Sequence, residues 1–242
     1  MRMIRVETVC QITFMPRLFP VNCYFIEEED GLTLIDAALP YSAKAILQAM
    51  RRLGKPITRI VLTHAHNDHV GALDALKQAL PDAAVHISAR DARLLQGDFT
   101  LAADEPRTPV RGGFPKALKT RPDVLLQEGD RIGSLVALTA PGHTPGSMAF
   151  LDTRNGALIA GDAFQTQGGI AVTGQLRPWF PFPAMATWSK GKALESARKL
   201  RAYQPTLLAA GHGDMLDDPG PAIDRAIAEA ERALAHSALV RE

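Results

Sequence analysis

Two apolar runs, residues 21–28 and 32–36, flank Asp30-Gly31, and apolar strands around an Asp-Gly turn predict a β-hairpin. The period then changes. Ile46, Leu47, Met50 and Leu53 recur at helical spacing, with Ser42 placed to cap the helix and Gly54 to end it. Residues 57–63, ITRIVLT, predict a short buried strand. Residues 70–80 predict a helix stopped by Pro81, 83–88 another strand, and 89–95 a short helix. From Gln96 to Pro122 no period holds, and four prolines and a Gly-Gly mark a long loop of the kind that often serves as a lid.

Residues 124–162 predict several strands in close succession, with turns at Glu128-Gly129-Asp130, Pro141-Gly142 and Asn155-Gly156. A second irregular stretch, 164–186, is rich in aromatics. A helix over 187–203, a strand at 206–210 and an amphipathic helix over 221–239, striped by Ile223, Ile227, Ala230 and Leu234, complete the chain. Both halves alternate strands with helices and no linker separates them, so residues 1–242 are expected to form a single domain.

Composition narrows the classes of function. Lys plus Arg is 27 and Asp plus Glu 26, a net charge of +1, and no long basic run is present to track a phosphate backbone, so no nucleic-acid partner is expected. The start lacks the continuous apolar segment of a signal peptide, and no stretch has the length and apolarity of a membrane span. The expectation is a cytoplasmic protein with no membrane partner. Cys10 and Cys23 lie in strand-like runs outside any Cys/His cluster and are expected to be half-buried free thiols.

The chemistry gathers in Thr63-His64-Ala65-His66-Asn67-Asp68-His69, directly after a buried strand. Neutral imidazoles suit borderline divalent metals, and a carboxylate adds a hard oxygen ligand. In a strand-to-helix loop His64 and His66 would face one metal, while Asp68 and His69 would reach a second. Three further candidates follow apolar runs and sit beside glycines that let the backbone turn sharply: His143 in APGHTPGS, Asp162 in LIAGDAF and His212 in LLAAGHGD. His86, within a strand, and His236, on the last helix, are expected to be structural and solvated respectively.

With GLTLIDAAL, THAHNDHVGAL, TAPGHTPGS, LIAGDA and SARKLRAYQPTLLAAGHG in this order, nearly the whole chain resembles the metallo-β-lactamase superfamily. The resemblance implies an α+β fold, a four-layer αββα sandwich of two mixed β-sheets flanked by helices. It implies that His64, His66 and His143 hold one metal, that Asp68, His69 and His212 hold a second, and that Asp162 bridges them. Asp36 falls where the family has an Asp supporting the ligand loop. Two divalent ions are implied, zinc first, with manganese or iron also suited to the donors. Sharing a hydroxide between the metals would make it a nucleophile near neutral pH, and Asp68 would orient it or take its proton.

Within the family the expected activity is hydrolysis of an ester, lactone or thioester of a small, partly apolar substrate. Asp162 stands where many β-lactamases carry Cys, only about 30 residues follow His212, too few for the helical extension of a glyoxalase II, and Gln165 stands where many lactonases carry Tyr. The alternatives are a mononuclear iron sulfur dioxygenase acting on persulfides and a β-lactamase-type amide hydrolase. Phe114, Trp179, Phe182 and Trp188, with Phe180, lie in or beside the irregular stretches and would line a substrate pocket, pack the loops onto the core or form a homodimer contact.

Overall fold

The computed structural model describes residues 1–239. In chain order the elements are β1 (Arg2–Val6), β2 (Val9–Phe14), β3 (Val21–Glu28), β4 (Gly31–Ile35), α1 (Ala43–Leu53), β5 (Ile57–Val61), α2 (Asn67–Val70), α3 (Leu73–Ala79), β6 (Ala84–Ser88) and α4 (Ala89–Leu95). After the long loop come β7 (Val124–Leu126), β8 (Arg131–Ile132), β9 (Leu135–Thr139), β10 (Met148–Asp152), β11 (Ala157–Gly161), β12 (Phe164–Gln165) and β13 (Ala171–Val172). The chain ends with α5 (Phe182–Ala186), α6 (Lys190–Ala202), β14 (Leu207–Ala210), β15 (Leu216–Asp217) and α7 (Gly220–Leu239).

Strands β1 to β7 form one sheet in sequence order, antiparallel up to β4 and parallel from β4 to β7. The second sheet runs β15-β14-β11-β10-β9-β8, with β11 and β14 parallel. Side chains alternate across each strand, so a sheet covered on both faces buries both sets. In β3, Tyr24 and Ile26 point between the sheets towards Phe150 and Ile159, while Phe25 and Cys23 point to the outer layer with Ile46 of α1 and Leu76 of α3. The outer face of the second sheet packs Leu158 and Leu208 against Leu200 of α6 and Ile223 of α7. The layers are therefore helix, sheet, sheet, helix, as the resemblance implies.

Five predictions are corrected. The helix expected over 70–80 is two short pieces broken at Gly71. The amide of Gly71 donates to Ala38 O at 2.9 Å and the amide of Ala37 to His69 O at 2.6 Å, so the backbone pairs with the segment after β4 instead of continuing its own ladder. A side chain at Gly71 would meet Pro40 and Asn67 O, which is why the close approach needs glycine. The stretch 164–186 carries the β12–β13 hairpin and α5, which their brevity hid from a periodicity argument. Helix α6 starts only at Lys190, where the Ser189 hydroxyl accepts from Lys192 N. Ser42 begins α1 without a side-chain capping bond. Cys10 and Cys23 are fully buried and free, since β2 and β3 are covered on both faces.

Among the described residues, no helix is long and apolar enough to cross a membrane.

Candidate metal centre

Strands β4, β5, β9, β11 and β14 all end at one edge of the paired sheets, and crevices at the carboxyl ends of strands are where such folds bind ligands. Asp36 follows β4, the His64–His69 segment follows β5, His143 follows β9, Asp162 follows β11 and His212 follows β14. The two sheets are tied together here: Met148 N donates to Thr63 O at 2.8 Å and Asn22 N to Gly211 O at 2.9 Å.

All seven predicted donors converge. His64, His66 and His143 form one group, His64, His69 and Asp162 a second, and Asp68, His69 and His212 a third, each with donor atoms within 4.8 Å of one another. Asp162 lies between them, with Oδ1 3.4 Å from His69 Nε2 and Oδ2 3.2 Å from both His143 Nε2 and His212 Nε2. Asp68 Oδ2 is 3.5 Å from His212 Nε2. Six of the seven side chains are almost completely buried, and only Asp68 opens to solvent.

The outer hydrogen bonds fix each ring. His69 Nδ1 donates to Asp36 Oδ2 at 2.8 Å and His212 Nδ1 to Pro20 O at 2.6 Å. Thr63 Oγ1 spends its proton on Asp36 Oδ2 at 2.7 Å, so it accepts from His64 Nδ1 at 3.0 Å. Thr187 Oγ1 donates to Pro183 O at 2.6 Å and Thr173 Oγ1 to Thr187, which leaves Thr173 to accept from His143 Nδ1 at 3.1 Å. These four imidazoles point Nε2 inward. His66 is turned the other way: its Nε2 donates to Arg111 O at 2.8 Å and its Nδ1 faces inward.

This arrangement suits cations. His64 Nε2, His69 Nε2 and Asp162 Oδ1 are buried without any hydrogen-bond partner, and orphaned buried polar atoms are costly. His66 Nδ1 and His143 Nε2, two lone pairs by the assignment above, stand 2.9 Å apart and need a proton or a cation near them. Without metal the cluster supplies its own positive charge. Burial works against charging His69, but Asp162, Asp36 and Asp68 outweigh it and push the imidazolium up to about 10. Burial holds His64 well below the usual histidine range and takes His143 down to about 3. Burial alone would raise Asp162, yet the imidazoles of His212, His69 and His143 bring its carboxyl well below the usual range. A donor set of neutral imidazoles and ionised carboxylates is what a divalent metal requires.

Asp36 accepts from Thr63 N at 2.8 Å as well as from Thr63 Oγ1 and His69. It holds the strained φ of 63°, sparsely populated by residues other than Gly. Three supports have no counterpart in the sequence reading. Asp91, fully buried on α4, accepts from Ala65 N at 2.9 Å, Thr144 Oγ1 at 2.7 Å and Gly146 N at 2.8 Å, tying the His64–His66 loop to the His143 loop. Its signal was the Ser-x-x-Asp pattern of Ser88 and Asp91, a helix start in which Ser88 Oγ accepts from Asp91 N. Under His212, Asn22 Nδ2 donates to Ala210 O and Gly213 O, Tyr24 Oη to Ala210 O, and Gln11 Nε2 to Gly213 O. The carbonyls of Arg111 and Pro20 carry no sequence signal, because every residue has one.

A cavity of about 420 Å³ opens above the cluster, walled by His66, Asp68, His143, Asp162 and His212 on one side and by Phe19, Leu39, Phe182, Pro183 and Met185 on the other. Of the predicted pocket aromatics only Phe182 lines it. Phe114 packs behind the wall on the His66 ring, centroids 4.7 Å apart. Trp188 is buried, with Nε1 donating to Thr108 O at 2.8 Å, and Trp179 is 89% exposed away from the cavity. Phe180 is buried against His212, and Phe19, which sequence reasoning passed over, packs edge-on against the same ring. His86 is half-buried in β6 and His236 is exposed on α7, both away from the cluster.

A family model described as the metallo-beta-lactamase superfamily matches residues 16–212. The chain is 58% identical over 232 residues to "Uncharacterized protein YobT" of Bacillus subtilis (strain 168), covering 96% of this chain and 100% of that one. It is 31% identical over 212 residues to "Probable metallo-hydrolase YflN" of the same organism, covering 79% and 80%. Among solved structures, TTHA1623 in a di-iron-bound form superposes with a TM-score of 0.63 at 28% identity, covering 88% of this chain and 96% of that one.

Proposed function

The chain belongs to the metallo-beta-lactamase superfamily, and from that membership we propose that it is a dinuclear metallo-hydrolase cleaving an ester, lactone or thioester bond of a small substrate. The observation that carries the reading is the inward set of seven donors, each ring fixed by an outer hydrogen bond, at the floor of an open cavity. His64, His66 and His143 would hold one ion; Asp68, His69 and His212 would hold the other; Asp162, between the groups, would touch both. Zinc is the first choice for these donors, and manganese or iron would also be held. Bound there, two ions supply Lewis acidity and lower the pKa of a coordinated water.

The chain's own residues do the rest. Asp68 is the one candidate ligand that is partly open to solvent, 25% exposed at the cavity wall, so it takes the role of orienting the attacking water and accepting its proton. Phe19, Leu39, Phe182 and Met185 give the non-reacting part of the substrate an apolar wall. Asp36 and Asp91 position the loops without touching substrate. The third donor group, Asp68 with His69 and His212, favours a dinuclear centre over the mononuclear iron centre of a sulfur dioxygenase.

The test is a panel of neutral para-nitrophenyl esters, lactones and thioesters, with and without chelator, on the parent and on Asp68→Asn. Turnover of at least one class, abolished by chelation and restored by metal, supports the reading. Oxygen uptake with a persulfide and no hydrolysis of any class would replace it.

A further inference from the structure

The loop between α4 and β7 carries a charge pattern that the hydrolytic centre does not use. Between residues 107 and 121 stand Arg107, Arg111, Lys116, Lys119 and Arg121 and not one Asp or Glu, in a chain whose net charge is only +1. Among the described residues none of these five side chains is in an ion pair, whereas Arg90 and Arg93, just before the loop, are paired to Glu105 and Asp98. Asp74, whose charge is felt by Lys119, accepts from the amides of Lys119 and Thr120 and from the Thr120 hydroxyl.

Three of these cations line a second cavity. It measures about 970 Å³, with Lys116, Lys119 and Arg121 at its edge and Leu95, Phe99, Phe114 and Leu118 among its apolar lining. Phe99 and Phe114 stack edge to face at 5.0 Å. It adjoins the metal centre: Phe114, which lines it, packs on the His66 ring at 4.7 Å, and Gly112 and Gly113 of the same loop line the first cavity. Arg111 O and Gly113 O accept from His66 Nε2 and Asn67 N at 2.8 Å each, so the loop is fastened to the ligand segment. Unpaired cations over an apolar floor, one ring from the reacting groups, match an anion carried on an apolar stem.

Resting on the hydrolase reading for the identity of the first cavity, we propose that the second cavity binds the anionic arm of the substrate, a phosphate or carboxylate group on an apolar stem held by Lys116, Lys119 and Arg121. The substrate class is then an acyl compound bearing negative charge at a distance from the scissile bond. Phosphate and carboxylate share this chemistry, and the probes below separate them.

Calorimetric titration of the metal-loaded protein with naphthylphosphonate, whose P–C bond is not hydrolysable, naphthoate and naphthol reads binding with no turnover. The anions are expected to bind and naphthol to bind at least about tenfold more weakly, the affinity falling with added salt. Reversal in Lys116→Glu/Lys119→Glu is expected to weaken anion binding about tenfold or more, with Lys116→Arg/Lys119→Arg restoring it and the melting temperature of both unchanged. Preference for naphthylphosphonate assigns a phosphorylated arm and preference for naphthoate a carboxylate arm. Anion affinity unaffected by the reversal places the anions on the metal centre and overturns the proposal, as does equal affinity for naphthol. Because no bond is cleaved in this titration, failure of the ester panel and failure of anion binding are separate results.

Discussion

Replacing Asp91 by asparagine tests how the two ligand loops are held. Burial pushes the Asp91 carboxyl up to about 6, against the pull of Thr144, Ala65 and Gly146. With the carboxyl moved from 3.8 to about 6, carrying the charge in the folded chain costs ~3 kcal/mol once the pH is well above 6. The sign follows from the folded value lying above the unfolded one: the group's favourable contribution is complete below 3.8 and is lost as the pH rises through about 6. Asparagine cannot ionise. The difference in unfolding free energy between parent and Asp91→Asn should therefore move by ~2–3 kcal/mol between about pH 4 and about pH 8, with the parent losing relative stability. Asparagine also offers one acceptor oxygen where the carboxylate meets three donors, leaving one of them short at a cost of ~1–3 kcal/mol at every pH. Urea unfolding of chelator-stripped protein at several pH values reads both terms. Because Asp91 ties the loops of His64, His66 and His143, metal affinity should fall by roughly 10–100-fold. A stability difference that stays constant with pH, together with unchanged metal affinity, would refute this account of Asp91.

Asp36→Asn, which loses the acceptor shared by Thr63 and His69, should lower metal affinity by a similar ~10–100-fold, read by competition with a chromophoric chelator. Metal uptake should release protons and strengthen as the pH rises through neutrality, since His69, pushed up to about 10 in the metal-free cluster, must give up its proton; titration in buffers of different ionisation enthalpy counts the protons. Gly112→Ala sets a Cβ against the His66 ring at a φ of 101°, and should cost ~1–3 kcal/mol and reduce metal content. Trp179→Ala, exposed and outside the cavity, should change stability by no more than about 0.5 kcal/mol in the same urea assay.

The donors were legible in the sequence because each stands where an apolar run stops, so a buried strand had to deliver it to the same sheet edge. The hairpin of β3 and β4 and helix α4 were legible for a related reason: their period is set by burial. What was hidden depends on contacts between distant segments. Gly71 breaks a helix because the segment after β4 takes its hydrogen bonds, and nothing within residues 70–80 records that. His66 owes its reversed ring to the Arg111 carbonyl, a group present in every residue. Aromatics in irregular stretches were the least legible. No lattice fixes which way a loop side chain points, so Phe182 reaches the cavity while Trp188 turns inward and Trp179 outward. Asp91 carried a helix-start signal, but its second role depends on loops 26 and 53 residues away in sequence.

The central claim is that one cluster holds two metals through Asp162. Its most direct test is the metal content per chain of protein purified without added metal, for the parent, His66→Ala and His212→Ala. The account predicts about two ions per parent chain and about one in each variant, since the substitutions strip donors from different groups. A single ion in the parent, lost in His66→Ala and kept in full by His212→Ala, would contradict it.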